Sequence, residues 1–561
     1  GSDQDKFEWE LLLFLVMTNQ QFSILEDPGF LSFIKYLAPQ AITKTAAFFI
    51  NSKLPLLYRS VKAKVLEIVK RDLRTVELFA LVTDRWVSRS SGFLHKSLSI
   101  SYISPDWELK QFALNCTAHD VESTGLVFDR LMESSLLNLQ SSKQSTAKVL
   151  VAENCQDFLN NRLDYCLESL AQLVNSAFIL AISTPNVSDV IQRIKLLARF
   201  LKDNPYVCEL LKNSCHTTGE TYTEIVDLLH PSVTIKSLFE SIETLLSMKN
   251  SLLVISNNIT VVALTHDKFL SDEDFHLLET LLPILDNTFR CYEGMTCQTK
   301  CTIHMAYTWI KEISLFVRKY HSPISKGINV FVETLALEFG KRVPDYGLQN
   351  KIYRLAHFLH PHFKGQGMRF YKDDDTVIEW SDITVEEILH DHPVHKAWLE
   401  GTLGAPSHPS NDQPYRYSIQ EDIQVEQEFG QKQTPEDCSP IEAEIKKYLD
   451  VLRPMKDPDD DPLKWWRVRE EELPHLSRLA KKTLCIPVSS SVLGEVTDET
   501  RVIAESTSVN QLVFVRQNYP HVAHLIGKHE LKLHSRWLRQ QRRWAPQHLL
   551  ITMLNFVLNN L

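Results

Sequence analysis

The chain is 561 residues long, 44% hydrophobic and 23% charged, with 16 glycines and 24 prolines. That balance describes a folded body with a sizeable core and excludes fibrous and low-complexity classes. Sixty Lys plus Arg against seventy Asp plus Glu leave a formal net charge of -10, so any phosphate-binding surface has to be a local patch. Mean hydropathy is -0.17, and no uninterrupted apolar run reaches the length of a membrane span.

The first seventy residues read as helices. Phe7 to Leu15 is densely apolar, Phe30, Phe33, Ile34 and Leu37 recur at helical spacing before Pro39, and Val61 to Leu73 is amphipathic with Lys and Arg outward. The period then changes. Val76 to Thr83 reads as a strand ending in Asp84, and Ser97 to Ile103 alternates as a half-buried strand does. Pro105-Asp106 makes a turn, Glu108 to Leu114 returns as the partner, and Lys148 to Ala152 is a further strand running into Glu153. Strand, hairpin, helix and strand in that order suit the opening of a ribonuclease-H-like α/β fold.

From about 160 to 400 the pattern is helical, with Val190 to Leu201, Ile235 to Leu246 and Phe275 to Leu285 as clear stretches. Residues 401–440 are rich in Gly, Pro, Ser, Gln and acids, as in a polar, acidic loop. The compact pattern resumes at Ile441. Pro546 can start a last helix with Leu550, Met553, Leu554, Val557 and Leu558 on one face.

Two clusters are candidate binding groups. Ten cysteines at irregular spacing do not form a disulfide framework and suit a reducing compartment. Cys291, Cys297, Cys301 and His304 come nearest to a metal set, but structural zinc prefers paired ligands two to four residues apart, and buried free thiols are the simpler account. Lys528, Lys532, Arg536, Arg539, Arg542 and Arg543, interleaved with Trp537 and Trp544, are nucleic-acid candidates because cations meet phosphates and indoles stack on bases. A solvated helix face with inward tryptophans is the plainer reading of the same residues.

Several segments resemble hAT-superfamily transposases. Thr83-Asp84-Arg85-Trp86-Val87-Ser88 resembles their T-D-x-W-x-S, and Gln21 to Asp27 with Phe30 resembles an upstream P-F-S-x-V-E segment. Leu359-His360-Pro361-His362-Phe363-Lys364 is similar to L-D-P-R-F-K, and Glu444 to Leu449 to E-L-x-x-Y-L. Asp461-Pro462-Leu463-Lys464-Trp465-Trp466, then Pro474, Leu476, Leu479 and Ile486-Pro487-Val488-Ser489-Ser490, resemble the C-terminal dimerisation segment.

That resemblance implies a ribonuclease-H-like core interrupted by a long all-helical insertion. The implied divisions are an N-terminal helical region (1–72), the first part of the core (73–175), the insertion (176–400), the polar loop (401–440), and core completion with the dimerisation region (441–561). Residues near 76 to 175 should then pack against residues after 440, as a single sheet crossed by both segments would show. Homodimerisation through Trp465, Trp466, Leu476, Leu479 and Pro487 is implied as well.

The resemblance also implies a two-metal DNA-cutting site of three carboxylates, of which this chain keeps Asp84. The second position holds Glu153, followed by Asn154, and lengthens the side chain by one methylene. The third falls on Gly494, or on Glu495 after a one-residue shift, and the C-x-x-H pair reads Cys166-Leu167-Glu168-Ser169. A degraded site with no bound metal is therefore expected, in a body resembling domesticated BED-zinc-finger transcription factors. Gly1-Ser2 reads as an expression scar, and a zinc-holding BED finger is expected upstream of it. The implied setting is a nuclear DNA-binding transcription or chromatin regulator with transcription or chromatin proteins as partners. The alternatives are an active metal-dependent transposase or nuclease, and a chromatin scaffold without sequence-specific DNA contact.

Overall fold

Alternation along one ten-residue strand organises the molecule. In β1 (Leu78–Val87), Leu78, Ala80 and Val82 enter one hydrophobic cluster, while Phe79 and Leu81 enter another on the opposite side. Successive side chains of a strand point to opposite faces, so a strand apolar at every position is covered on both. The computed structural model describes residues 3–18, 20–87, 94–119, 147–153, 165–223, 235–258, 261, 269–297, 299–319, 326–343, 348–365, 369–371, 377–379, 440–451, 455–457, 460–490 and 506–526.

The sheet is formed by β1, β2 (Leu94–Ile103), β3 (Leu109–His119), β4 (Ala147–Ala152) and β5 (Tyr165–Glu168), in the order β3-β2-β1-β4-β5. The first three strands pair antiparallel, whereas β4 runs parallel to β1 and β5 parallel to β4. The β2–β3 hairpin turns at Pro105–Trp107, where Trp107 takes a positive φ of 62°. Its ring is buried, and its Nε1 donates to Glu470 Oε2 at 2.7 Å, so a contact far along the chain holds the turn.

One face of the sheet carries the N-terminal helices α1 (Asp3–Thr18) and α3 (Leu54–Asp72). Beside them lies a helix from the far end of the chain, Ser506–Ile526 (α16 below), with Phe514 against Tyr58 of α3 at 4.9 Å between centroids. Asn518 clamps the Ala113 backbone of β3, accepting from its N at 2.9 Å and donating to its O at 2.8 Å. Between α1 and α3 lies α2 (Pro28–Leu37), capped by Asp27, whose carboxylate accepts from Phe30 N.

The other face carries α4 (Leu170–Ile182), α5 (Pro185–Asp203), α6 (Pro205–Thr218), α7 (Ile235–Ser247), α8 (Lys249–Ser256), α9 (Asp272–Met295), α10 (Ala306–Lys319), α11 (Lys326–Arg342) and α12 (Leu348–Phe358). Local chemistry sets their ends. Proline opens α5 and α6, where no intrahelical N–H is needed, Gly219 at φ 77° closes α6, and Ser271 with Asp274 forms a capping box on α9. After them come α13 (Pro440–Lys446), α14 (Pro462–Val468), α15 (Pro474–Leu484) and α16. No single described helix is long and apolar enough to cross a membrane.

The predicted strands are present, with different bounds. Asp84 lies inside β1 because the hairpin with β2 carries pairing on to Val87 opposite Leu94. The segment expected to be all-helical also contains a small hairpin, β6 (Arg369–Tyr371) against β7 (Val377–Glu379). The expected packing of residues near 76–175 against residues after 440 is present, but among the described residues it does not run through a shared sheet. Among the described residues the C-terminal part supplies helices, which cover both faces of a sheet made entirely from residues 78–168.

Candidate functional site

The parallel register of β1 and β4 pairs Val82 with Val151, and two residues further on it sets Asp84 beside Glu153. Neighbouring strands lie about 4.8 Å apart, so the two carboxyl groups sit side by side at one end of the sheet. Asp84 is half-buried, and its Oδ1 accepts from Arg85 N at 2.9 Å. Burial, and then the negative charge of Glu153, push the Asp84 carboxyl up to about 7. Arg85 Nε donates to Glu153 Oε2, an ion pair between a half-exposed guanidinium and a mostly covered carboxylate.

The rim of this site comes from α16. Asn510 Oδ1 accepts from Cys116 Sγ at 3.3 Å and meets His95 Nδ1 at 2.9 Å. Register links Asp84 to Ser97, and Ser97 to Cys116, whose thiol is pushed up by burial and then by Asp84. Sequence reasoning gave Arg85 no role, although a cation between the aspartate and tryptophan of the motif was the visible signal.

A two-metal site needs several oxygens free to coordinate. Here the Arg85 guanidinium engages Glu153, and burial together with the Glu153 charge raises the Asp84 carboxyl. Among the described residues no group of three or more His, Cys, Asp or Glu is arranged to hold a metal. Gly494, Glu495 and Asn154 lie outside the described residues, as do Lys528, Lys532, Arg536, Arg539, Arg542 and Arg543.

A second constellation forms where α12 ends. Leu359-His360-Pro361-His362-Phe363-Lys364 is hydrogen-bonded along its length to residues 448–466. Trp466 Nε1 donates to Leu359 O at 2.8 Å, Tyr448 Oη to Phe358 O at 2.8 Å, and Lys364 Nζ to Tyr448 O at 2.6 Å. Met455 N donates to Pro361 O at 3.3 Å, and His362 Nδ1 sits 2.9 Å from Met455 O. Lys364 takes a φ of 49°, which turns the chain so that its ammonium lies 5.1 Å from the Tyr448 ring centroid.

Beneath this clasp His360 stacks on His304 at 4.4 Å, and His357 on Phe363 at 4.5 Å. Burial holds His304 well below the usual imidazole range and lowers His360 to about 3, in each case helped by neighbouring histidines. His304 therefore packs as a neutral ring against His360. Cys291 faces Glu312 at 3.6 Å, and Cys297 faces Thr299 at 3.5 Å. Cys116, Cys215, Cys291, Cys301 and Cys485 are buried free thiols; Cys166, in contrast, is disulfide-bonded.

Ser169, at the position of the motif's histidine, caps α4, its Oγ accepting from Gln172 N. The same Oγ accepts from Ser490 N at 3.0 Å, while Leu170 N donates to Val488 O at 2.9 Å and Val488 N to Thr302 Oγ1 at 3.1 Å. The Ile486 to Ser490 segment thus joins the end of β5, the helical segment and α15.

Burial changes the reading of the dimerisation residues. Trp466 and Leu476 are wholly covered, Leu479 is 3% exposed, and Pro487 is buried, all within the chain's own core. Side chains already packed on α12 and the sheet cannot also present a surface to a second chain in this conformation. Trp465 is half-buried, with the Arg469 guanidinium 4.1 Å from its ring centroid. The same block offers Val468, 80% exposed, and Leu449, 38% exposed.

This C-terminal block carries the family signature. Residues 444–519 match the hAT family C-terminal dimerisation region, which supports self-association. The chain is also homologous to zinc finger BED domain-containing proteins. It is 22% identical over 519 residues to zinc finger BED domain-containing protein DAYSLEEPER of Arabidopsis thaliana, covering 88% of this chain and 70% of that protein. A shorter stretch of 55 residues is 38% identical to zinc finger BED domain-containing protein RICESLEEPER 4 of Oryza sativa subsp. japonica, covering 10% of this chain and 8% of that one.

Proposed function

We propose that this chain is the dimerising body of a nuclear, DNA-associated transcription or chromatin regulator, built on a transposase fold whose cutting site has been lost. The observation that carries this reading is the combination of a hAT dimerisation region at 444–519 with an acid pair whose second member is bound by Arg85. The strand order β3-β2-β1-β4-β5, with its antiparallel start and parallel finish, supports a ribonuclease-H-like core. The helices between β5 and α13 then form the insertion, and the 359–364 clasp is where it rejoins the core. In this reading sequence-specific DNA contact comes from a zinc-holding BED finger N-terminal to residue 1, as the names of the relatives suggest. The acidic body recruits partner proteins.

Two measurements test the proposal. Sedimentation at micromolar protein is expected to show a dimer in low and high salt alike, because an interface of more than about 2,000 Å² is largely apolar and resists screening. A monomer under both conditions would remove the dimerising role. Incubation with manganese and duplex DNA, nicked or intact, is expected to give no cleavage. Cleavage that disappears in Asp84→Asn would instead identify a working nuclease.

A further inference from the structure

The outer face of helix α3 runs against the charge of the chain. From Arg59 to Arg74 stand six cations, Arg59, Lys62, Lys64, Lys70, Arg71 and Arg74, in a protein whose net charge is -10. The two acids of that stretch are taken up locally, Glu67 by Lys64 at 2.9 Å and the buried Asp72 by Arg71 and Lys110, each at 2.9 Å. Arg59, Lys70 and Arg74 are exposed and have no ion pair among the described residues. Eleven residues bring Lys70 back to the side of Arg59 after about three turns, about 16 Å along the axis, and Arg74 lies about one turn beyond.

Neighbouring elements leave this charge unbalanced. Helix α16, which packs on α3 through Phe514 and Tyr58, contains no Asp or Glu, and Asp5 and Glu8 of α1 face Lys53 at the start of α3. The helix dipole accounts for Lys70 and Arg71 in the last turn, but its effect fades within a turn and gives no reason for Arg59, Lys62 and Lys64. The apolar side of α3, Leu57, Val61, Val65 and Ile68, is buried in the core, so no apolar stripe remains to enter a lipid surface. Its one aromatic residue, Tyr58, packs on Phe514 and holds the Lys62 ammonium 3.0 Å from its Oη, so the face offers no platform for stacking unpaired bases. A row of cations without a stacking ring fits duplex phosphates whatever their sequence.

We propose that the outer face of α3 is a sequence-independent contact surface for the phosphate backbone of duplex DNA, with Arg59, Lys70 and Arg74 as its principal contacts. It rests on the DNA-associated reading above for the choice of polyanion, and it adds a contact made by the body itself, apart from any upstream finger.

Fluorescence anisotropy of the full chain with duplexes of unrelated sequence tests it, between about 50 and 200 mM salt. The triple variant Arg59→Gln, Lys70→Gln, Arg74→Gln is expected to weaken binding to every duplex alike, by at least about tenfold at low salt. It should lower the slope of log affinity against log salt by about 2–3, since each phosphate contact contributes about 0.9. The charge-keeping triple Arg59→Lys, Lys70→Arg, Arg74→Lys is expected to retain binding. Arg199→Gln, Lys202→Gln, Lys212→Gln, the same charge change at exposed positions of α5 and α6, is expected to leave the slope unaltered. An unchanged slope in the first variant overturns the proposal, as does an equal loss in the α5–α6 triple, which would leave only net charge at work. Absence of duplex binding by the unmodified chain at low salt overturns it too, and so does tighter binding to single strands or to anionic lipid vesicles than to duplex. None of these outcomes alters the sedimentation result, so the contact surface and the dimerising body fail separately.

Discussion

Two regions of this molecule bring together residues singled out by the same family resemblance, and they treat polar groups in opposite ways. At the ends of β1 and β4, Asp84 and Glu153 are compensated at the surface by the half-exposed Arg85. Beneath α14, Lys364, Tyr448 and Trp466 donate to main-chain oxygens inside the protein, and His304 stacks on His360. A surface arrangement of charges gives up little free energy when one member changes, since water replaces the lost partner. A buried network loses both the packing and the hydrogen bond. The fold therefore depends on the clasp, whereas the acid end of the sheet is free to diverge.

The largest effect should come from Trp466→Ala. It removes a wholly buried indole together with its bond to Leu359 O, and the expected loss in urea unfolding is about 3–5 kcal/mol. Trp465→Ala, at a half-buried ring, should cost clearly less. Equal losses at the two positions would erase the contrast between buried clasp and open surface.

The histidine stack predicts how the clasp responds to acid. His304 and His360 are neutral in the fold, with their ionisation pushed down, while the unfolded chain binds protons below about pH 6.5. Their contribution is thus complete above pH 6.5 and is lost as pH falls from there towards about 3. Stability should drop by about 2–3 kcal/mol between pH 6.5 and 5. His360→Phe should reduce that slope by about half, and an unchanged slope in urea titrations would place the acid sensitivity elsewhere.

Asp84 predicts the opposite dependence at the other region. Its carboxyl is pushed up to about 7 in the fold, so the folded protein holds a proton that the unfolded chain releases above about pH 4. The contribution is complete below that unfolded value and is lost as pH rises to about 7. Asp84→Asn should stabilise the protein at pH 8 by about 1–2 kcal/mol, a figure reduced for partial exposure, and should leave stability at pH 4 unaltered.

Much of the sheet was legible because β1, β2 and β4 carry period-two or fully apolar runs that only a covered sheet satisfies. Strand bounds were less legible, since pairing to Val87 depends on β2 and not on β1's own sequence. β5 escaped notice: its four residues, Tyr165–Glu168, are too short for a periodic signal and were taken up by the C-x-x-H comparison. The clasp motif was visible as letters, but its work was not, because Lys364 and Trp466 are 102 positions apart and meet only after α12 packs on the C-terminal block. The burial of Trp466 and Leu476 within the chain was illegible for a related reason. A large apolar side chain announces burial in a sequence, but not whether its partner lies in the same chain.

Arg85 gives the smallest expected effect on stability and the sharpest test of the comparison. Its ion pair with Glu153 is half-exposed, so Arg85→Ala should cost under about 1 kcal/mol in urea unfolding. Its influence on the neighbouring acid should be plainer. Arg85 lowers the Asp84 pKa through its charge and its backbone N–H, while Glu153 raises it. Truncation removes the charge and keeps the N–H, leaving Glu153 less compensated beside Asp84. Carboxyl-carbon NMR should therefore find Asp84 titrating above about 7 in the variant. A titration that stays put would show that the guanidinium does not compensate this end of the sheet, and the contrast with the buried clasp would then rest on burial alone.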